Sequence, residues 1–161
     1  MKTNVKQRGM TLIEILMALG ISGIIIGGLA ASIYTVMSVT GRGNAEITVL
    51  RDIQSASHWI SNDARMARDV TLTGGVPANG IILGWDDSQG NPHSCSITRT
   101  GRELIRNFDG ALSTIAWNVL TVEFSMNDDV LTYALTSETE SRWEVKKEVT
   151  GQVNLRAWAE D

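Results

Sequence analysis

Cysteine and clustered basic residues are scarce in this chain. A single cysteine, Cys95, excludes an intramolecular disulfide, so any part of the protein outside the cytoplasm must fold without covalent cross-links. The 14 lysines and arginines against 18 acids give a net charge of −4, which argues against a nucleic-acid-binding surface. The hydrolase motif GxSxG and the phosphate loop GxxxxGKS/T are both absent. A secreted hydrolase with a retained anchor therefore lacks a recognisable catalytic constellation.

Two groups of polar residues are weak candidates for a metal site. On a strand, His93 and Cys95 would share one face, but they are two ligands without a second pair, and His58 is remote in sequence. The segment Asp86–Asn91 is rich in oxygen ligands but lacks the distal glutamate of an EF-hand loop, so a solvated turn is favoured over a calcium site. We predict no catalytic residue, no metal and no cofactor.

A long uncharged segment is the main feature that is present. The 25 residues Ile15–Val39 contain no charge and are long enough to cross a bilayer with some tilt. Residues 1–9 contain Lys2, Lys6 and Arg8 and no acid, so the positive-inside rule keeps them in the cytoplasm and exports the chain after about residue 40. A conventional signal peptide fits poorly because its apolar region is shorter.

One acid, Glu14, stands at the start of this membrane-length segment. A charged side chain in hydrocarbon costs roughly 2.5–3.5 kcal/mol on insertion scales, so a lone acid there needs a partner. The string Arg8-Gly9-Met10-Thr11-Leu12-Ile13-Glu14, behind its short basic leader, resembles the processing and methylation signature of type IV pilins and pseudopilins. The resemblance implies that prepilin peptidase cuts after Gly9 and that the new amino terminus, Met10, is methylated.

In that family the glutamate serves assembly, and the resemblance implies the same for Glu14, which would meet the terminal amine of a neighbouring subunit. A buried pair of this kind relieves the desolvation that each charge bears alone. The alternative is an exposed acid in the first turn of a helix, favoured by the helix dipole. Met10 replaces the usual phenylalanine, and the proline of many pilin helices is absent here.

Small residues interrupt the apolar segment. Gly23 and Gly27 have the GxxxG spacing of a close-packing helix face, although glycine is also simply common in membrane helices. Four glycines are candidates for helix packing: Gly20, Gly23, Gly27 and Gly28.

Beyond residue 40 the pattern predicts an amphipathic helix at about 44–69. An apolar stripe recurs at spacings of three and four residues, with one polar member: Leu50, Ile53, Ser57, Ile60, Ala64 and Ala67. Charged residues lie off this stripe: Arg51, Asp52, Asp63, Arg65, Arg68 and Asp69. If Gly41 and Gly43 do not break it, one helix runs from about Met10 to Asp69.

Short alternating segments after Val70 predict an antiparallel sheet. We expect strands at Ile81–Trp85, Cys95–Arg99, Glu103–Asn107, Leu120–Met126 and Val130–Thr136, and a last pair, Trp143–Val149 and Val153–Trp158, around Gly151. The predicted class is α+β, with a leader at 1–9, a membrane and assembly helix at 10–40 and an extracytoplasmic head at 41–161. This order also matches the pilin fold.

The head carries a second, looser resemblance, to J-type pseudopilins and W-type minor pilins. Its hallmark at the end of the helix is here Asp63, Arg65 and Ala67, and a hairpin strand with Leu104 and Arg106 is also similar. This resemblance implies an initiator or adaptor near a filament tip.

The expected function is a minor pilin or pseudopilin of a type IV filament or a type II secretion system, and no enzyme. The implied partners are prepilin peptidase, other pilin or pseudopilin subunits, the inner-membrane assembly platform and membrane lipid, with no nucleic acid bound directly. The expected location is the cytoplasmic membrane, single-pass, with the head outside. The rival is a membrane-tethered binding or sensor domain that never polymerises, for which Glu14→Ala would be harmless.

Overall fold

A computed structural model describes residues 10–75, 77–140 and 142–155. The predicted leader and Gly9, as well as Trp158 in the last predicted strand, lie outside the described residues. The chain divides into two compact units between Gly41 and Arg42. The first is apolar helix, and the second holds the rest of the helix and all the strands.

One helix, α1, runs from Leu12 to Met66. Gly41 and Gly43 both lie inside it, so neither glycine breaks the helix. Each glycine inside a helix lowers helix stability by about 1 kcal/mol relative to alanine. Residues with higher helix propensity on both sides of Gly41 and Gly43 offset this cost. Of the two alternatives that the sequence left open, the structure has the uninterrupted helix, with both ends shorter than Met10–Asp69 by two or three residues.

Among the described residues that follow the helix, eight strands form two antiparallel sheets. The first sheet has the order β1-β2-β3-β4-β5 and the second the order β6-β7-β8. The strands are β1 Asp69–Thr73, β2 Gly80–Asp86, β3 Pro92–Thr100, β4 Glu103–Phe108, β5 Ala111–Ala116, β6 Val119–Asn127, β7 Val130–Glu138 and β8 Lys146–Asn154. The α+β class and the strands predicted from β2 to β4 and from β6 to β7 are confirmed.

The second half of α1 and both sheets share one hydrophobic core. Ile60 of the helix, Leu83 and Ile97 of the first sheet, and Phe124 and Leu131 of the second are all fully or almost fully buried in it. Because three layers of apolar side chains meet there, burial is the main force that holds the helix against the sheets.

The predicted stripe is wrong in part. Leu50 is 40% exposed, whereas its neighbour Val49 is fully buried and Ala56 joins the core. Side chains of adjacent helical residues point about 100° apart, so only one of Val49 and Leu50 can face the core fully. Periodicity does not determine which of the two is buried, and tertiary packing does. The prediction also fails for Asp52 and Asp63, which lie off the predicted stripe but are buried.

The predicted final pair of strands around Gly151 is also wrong. Residues Lys146–Asn154 form one strand, β8, with Gly151 opposite Tyr133 of β7. A Cβ at Gly151 would lie 2.2 Å from Tyr133 Cζ, so the glycine makes room for a ring and is no turn residue.

Two strands were not predicted. Neither β1 nor β5 contains the long apolar alternation of the other strands, and both lie at the edges of the five-stranded sheet. Edge strands are short and partly solvated, so their sequence signal is weak.

Candidate functional site

The first half of α1 presents an almost entirely apolar surface. Large apolar side chains are exposed along its whole length, from Met10 to Val39. This helix is long and apolar enough to cross a membrane by length and composition. A monomer in water rarely exposes so large a continuous apolar surface, so this segment requires lipid or other helices around it.

Glu14 lies at the first turn of this helix, where it forms a capping box with Thr11. The backbone nitrogen and the hydroxyl of Thr11 both donate to Glu14 Oε2, each at 2.9 Å. In return the Glu14 backbone nitrogen lies 3.4 Å from Thr11 Oγ1. Thr11 is the N-cap and Glu14 the third helical residue. The Glu14 carboxylate therefore satisfies the Thr11 N–H at the helix start, while the Glu14 N–H also donates to the Thr11 carbonyl oxygen at 3.1 Å.

The part of Glu14 that is still available is its other oxygen. Within residues 10–75, 77–140 and 142–155, Glu14 Oε1 has no hydrogen-bond partner, and the side chain is exposed. Sequence reasoning missed the role of Thr11, although the spacing T-x-x-E before an apolar run is the signal for it.

The four candidate packing glycines lie on an open helix surface. At Gly20, Gly23, Gly27 and Gly28 a Cβ would meet nothing within 4 Å. No other part of the described chain therefore packs against these four positions, and their role in helix packing stays a prediction.

A buried ion pair joins the helix to the first sheet in the head. Asp63 is fully buried, and Arg106 of β4 donates to it from Nε at 2.7 Å and from Nη2 at 2.9 Å. The guanidinium lies 4.7 Å from the ring centre of Trp59 and 4.9 Å from that of Phe108. Two parallel hydrogen bonds with aromatic rings over the guanidinium are a geometry that lysine cannot reproduce.

The only cysteine belongs to this cluster. The Cys95 thiol donates to Asp63 Oδ2 at 3.3 Å, and burial, with the charge of Asp63, raises the pKa of Cys95 to about 12. Hydrogen bonding to Asp63 also raises the pKa of Arg106 above its usual value. A thiol with so high a pKa stays protonated at neutral pH, so it is a structural group and a poor nucleophile.

His93 lies between two acidic turns. Its Nδ1 lies 2.6 Å from Asp109 Oδ2 and its Nε2 3.6 Å from Asp87 Oδ2, while its ring stacks on Phe108. The hydrogen bond to Asp109 is the main reason that the pKa of His93 is raised. His93 is therefore held by carboxylates, on the inward face of β3 that it shares with Cys95.

In the oxygen-rich turn Asp86–Asn91, the carboxylate of Asp87 is occupied by hydrogen bonds from the turn itself. Asp87 accepts hydrogen bonds from Gln89 N at 2.8 Å and from Asn91 N and Nδ2 at 2.9 Å. Donation by Asn91 lowers the pKa of Asp87 to about 2. In the described part of the chain no three His, Cys, Asp or Glu side chains are grouped so that they could hold a metal ion.

A comparison with known protein families adds direct support for the N-terminal segment. Residues 4–30 match the model of the prokaryotic N-terminal methylation motif. Neither a curated protein nor a solved structure matches the chain significantly. The match identifies a type IV pilin-like signature and indicates a protein that prepilin peptidase processes and that assembles with other pilins. Together with the apolar helix it supports a membrane-anchored protein.

Proposed function

We propose that this protein is a minor pilin or pseudopilin that enters a filament through the first half of α1. The observation that carries the proposal is the long exposed apolar surface from Met10 to Val39, which begins with one acid and coincides with the methylation motif at residues 4–30. A helix of this kind is stable in lipid and equally stable among other apolar helices, so transfer from one to the other costs little.

We propose that prepilin peptidase cuts between Gly9 and Met10. A cut there leaves the new α-amine one residue before the N-cap, Thr11, whose own nitrogen is 2.9 Å from Glu14. The Met10 α-amine and the Glu14 carboxylate therefore both lie at the start of the helix. Each of them can neutralise a partner of opposite charge in apolar surroundings.

In the assembled filament Glu14 would meet the amine of a neighbouring subunit. The capping box holds Oε2 and leaves Oε1 for that partner, so the cap orients the acid without consuming it. Gly20, Gly23, Gly27 and Gly28 would let neighbouring stems approach closely, since no side chain of this chain covers them.

A position near the filament tip, with other minor subunits, follows from the similarity to J-type pseudopilins and W-type minor pilins. Of the residues that carry this similarity, Asp63 and Arg106 pair with each other, and Ala67 and Leu104 are fully buried. We place the protein in the cytoplasmic membrane, with its head outside the cytoplasm and the inner-membrane assembly platform as a partner.

Two substitutions separate the charge of Glu14 from its capping role. Glu14→Gln keeps a capping side chain but removes the charge, whereas Thr11→Val removes the capping hydroxyl and keeps the charge. If assembly depends on charge neutralisation, the amount of Glu14→Gln in sheared filaments should be at least tenfold lower than that of the wild type. The amount of Thr11→Val should lie within about twofold of the wild type.

Mass spectrometry of the native amino terminus tests processing at the same time. A methylated Met10 is the expected result in cells with an active prepilin peptidase. An intact Met1, or filament-independent function that survives Glu14→Ala, would instead support a membrane-tethered binding or sensor domain. Equal losses for Thr11→Val and Glu14→Gln would reduce Glu14 to a helix cap.

A further inference from the structure

The four edge strands of the two sheets differ in charge. Three of them carry ionisable side chains, with Asp69 on β1, Glu123 on β6 and three charges on β8. The fourth, β5, has the sequence ALSTIA, without charge or proline. Charges on an edge strand discourage pairing with other chains, so β5 is the one edge of these sheets that lacks this protection.

Large apolar side chains accompany this unprotected edge. Leu112 of β5 is 73% exposed, and Trp117, just after the strand, is 59% exposed. On the helix that faces the end of β5, Ile47 is exposed as well. A tryptophan in such a position is a typical anchor of a protein interface, and the exposed aliphatic side chains add apolar contact area around it.

A cleft of about 570 Å³ lies between this part of the helix and the end of β5. Its walls include Ile47 and Arg51 from α1 and Ile115, Trp117 and Asn118 from the sheet side. The cleft and the β5 edge are continuous through Ile115 and Trp117, so one bound segment can contact both.

The carboxylate of Asp52 also lines the cleft, with neutral partners only. Asp52 is 7% exposed and accepts hydrogen bonds from Trp117 N at 3.3 Å and from Asn118 Nδ2 at 2.7 Å. In the part of the chain that the structure describes, no lysine, arginine or histidine nitrogen is within salt-bridge distance of it. A largely buried carboxylate without a cation gains much from a basic side chain that enters the cleft.

We propose that β5 and this cleft bind an extended segment of another protein, which adds a strand beside β5 and places a lysine or arginine against Asp52. Backbone hydrogen bonds along the edge would supply affinity, and the apolar anchors with Asp52 would supply specificity. A second copy of this chain fits less well, because pairing through its own β5 would offer Asp52 a strand without a basic residue. The surface lies in the head and does not depend on the proposed role of Glu14.

The test uses the full chain in detergent micelles and three fluorescein-labelled peptides. Each peptide has nine residues that alternate valine and threonine, and the three differ only in a central lysine, leucine or glutamate. Fluorescence anisotropy at physiological salt should give at least tenfold tighter binding for the lysine peptide than for the glutamate peptide, with the leucine peptide in between.

Matched variants locate the binding surface. Leu112→Lys adds a charge to the β5 edge and should weaken binding of all three peptides at least tenfold. Leu72→Lys places the same charge on β1, the opposite edge of the same sheet, and should change binding less than twofold. Asp52→Asn should abolish the preference for lysine over leucine, and a thermal melt of each variant shows that it is folded.

Three results would overturn the proposal. The first is that no peptide binds or that all three bind equally well. The second is a loss of binding in Leu72→Lys as large as that in Leu112→Lys. The third is concentration-dependent dimerisation of the wild-type chain that Leu112→Lys abolishes in sedimentation velocity, which would assign the surface to a second copy.

Discussion

Replacing Arg106 by methionine should remove from a fully buried carboxylate, Asp63, the one cation that the described residues place beside it. Asp63 would lose hydrogen bonds of 2.7 and 2.9 Å and would keep only the thiol of Cys95 at 3.3 Å. Breaking one half of a buried ion pair costs about 3–5 kcal/mol, and the two aromatic contacts of the guanidinium add about 1 kcal/mol. Because domains of this size are stable by about 5–15 kcal/mol, the loss is a large share of the total.

The magnitude translates into a clear thermal shift. For a head of this length a loss of 1 kcal/mol lowers Tm by roughly 2–8 °C, so a loss of at least about 4 kcal/mol in Arg106→Met should lower it by at least about 8 °C. The assay is thermal unfolding of the full chain in detergent, followed by near-ultraviolet circular dichroism. That signal reports the tryptophans of the head and is insensitive to the apolar half of α1, whose only aromatic residue is Tyr34.

Two controls isolate the cause. Arg65→Met removes an exposed arginine from the same helix end and should change the free energy of unfolding by less than about 0.5 kcal/mol. The double variant Asp63→Leu with Arg106→Met removes both charges and should recover most of the loss, since replacing a buried pair by apolar groups is often close to neutral. A loss below about 1 kcal/mol for Arg106→Met alone would refute the reasoning.

Three further predictions concern other parts of the head. Gly151→Ala should cost about 1–3 kcal/mol in urea unfolding, because its Cβ would enter the buried ring of Tyr133; unchanged stability would contradict the close approach. His93 has a raised pKa in the folded protein, so its stabilising effect is complete below its unfolded pKa of about 6.5 and is lost as pH rises through the folded value. The Tm difference between wild type and His93→Gln should therefore be larger at pH 5.5 than at pH 9, and an equal difference would argue against the ion pairs. Cys95 should resist iodoacetamide at pH 8 in the folded protein and react after denaturation, as mass spectrometry would detect, because its pKa is raised to about 12.

The order of elements could be predicted from residue patterns because each depends on local periodicity. The helix and most strands have strong repeats of 3.6 or two residues, and turns such as Thr100-Gly101-Arg102 have their own residue preferences. Gly151 misled this reasoning, since a glycine that marks a turn and a glycine that makes room for a ring look the same in a sequence.

The buried polar groups of the head could not be predicted in the same way. Asp52 and Asp63 look like solvated helix residues, and their burial depends on Asn118 and Arg106, which are more than 40 residues away. Only the folded chain brings such distant groups together, so no local sequence pattern predicts that these two acids are buried and paired.

The sequence by itself determined the main features of the N-terminal segment. An uncharged apolar helix, a single acid at its start and the methylation motif are local properties, because they depend on residues next to each other in the chain. Tertiary structure decided which helix face is buried, which acids are paired and which sheet edge is left without charge. Those outcomes depend on contacts between residues far apart in sequence, and packing selects among arrangements that local preference leaves equal.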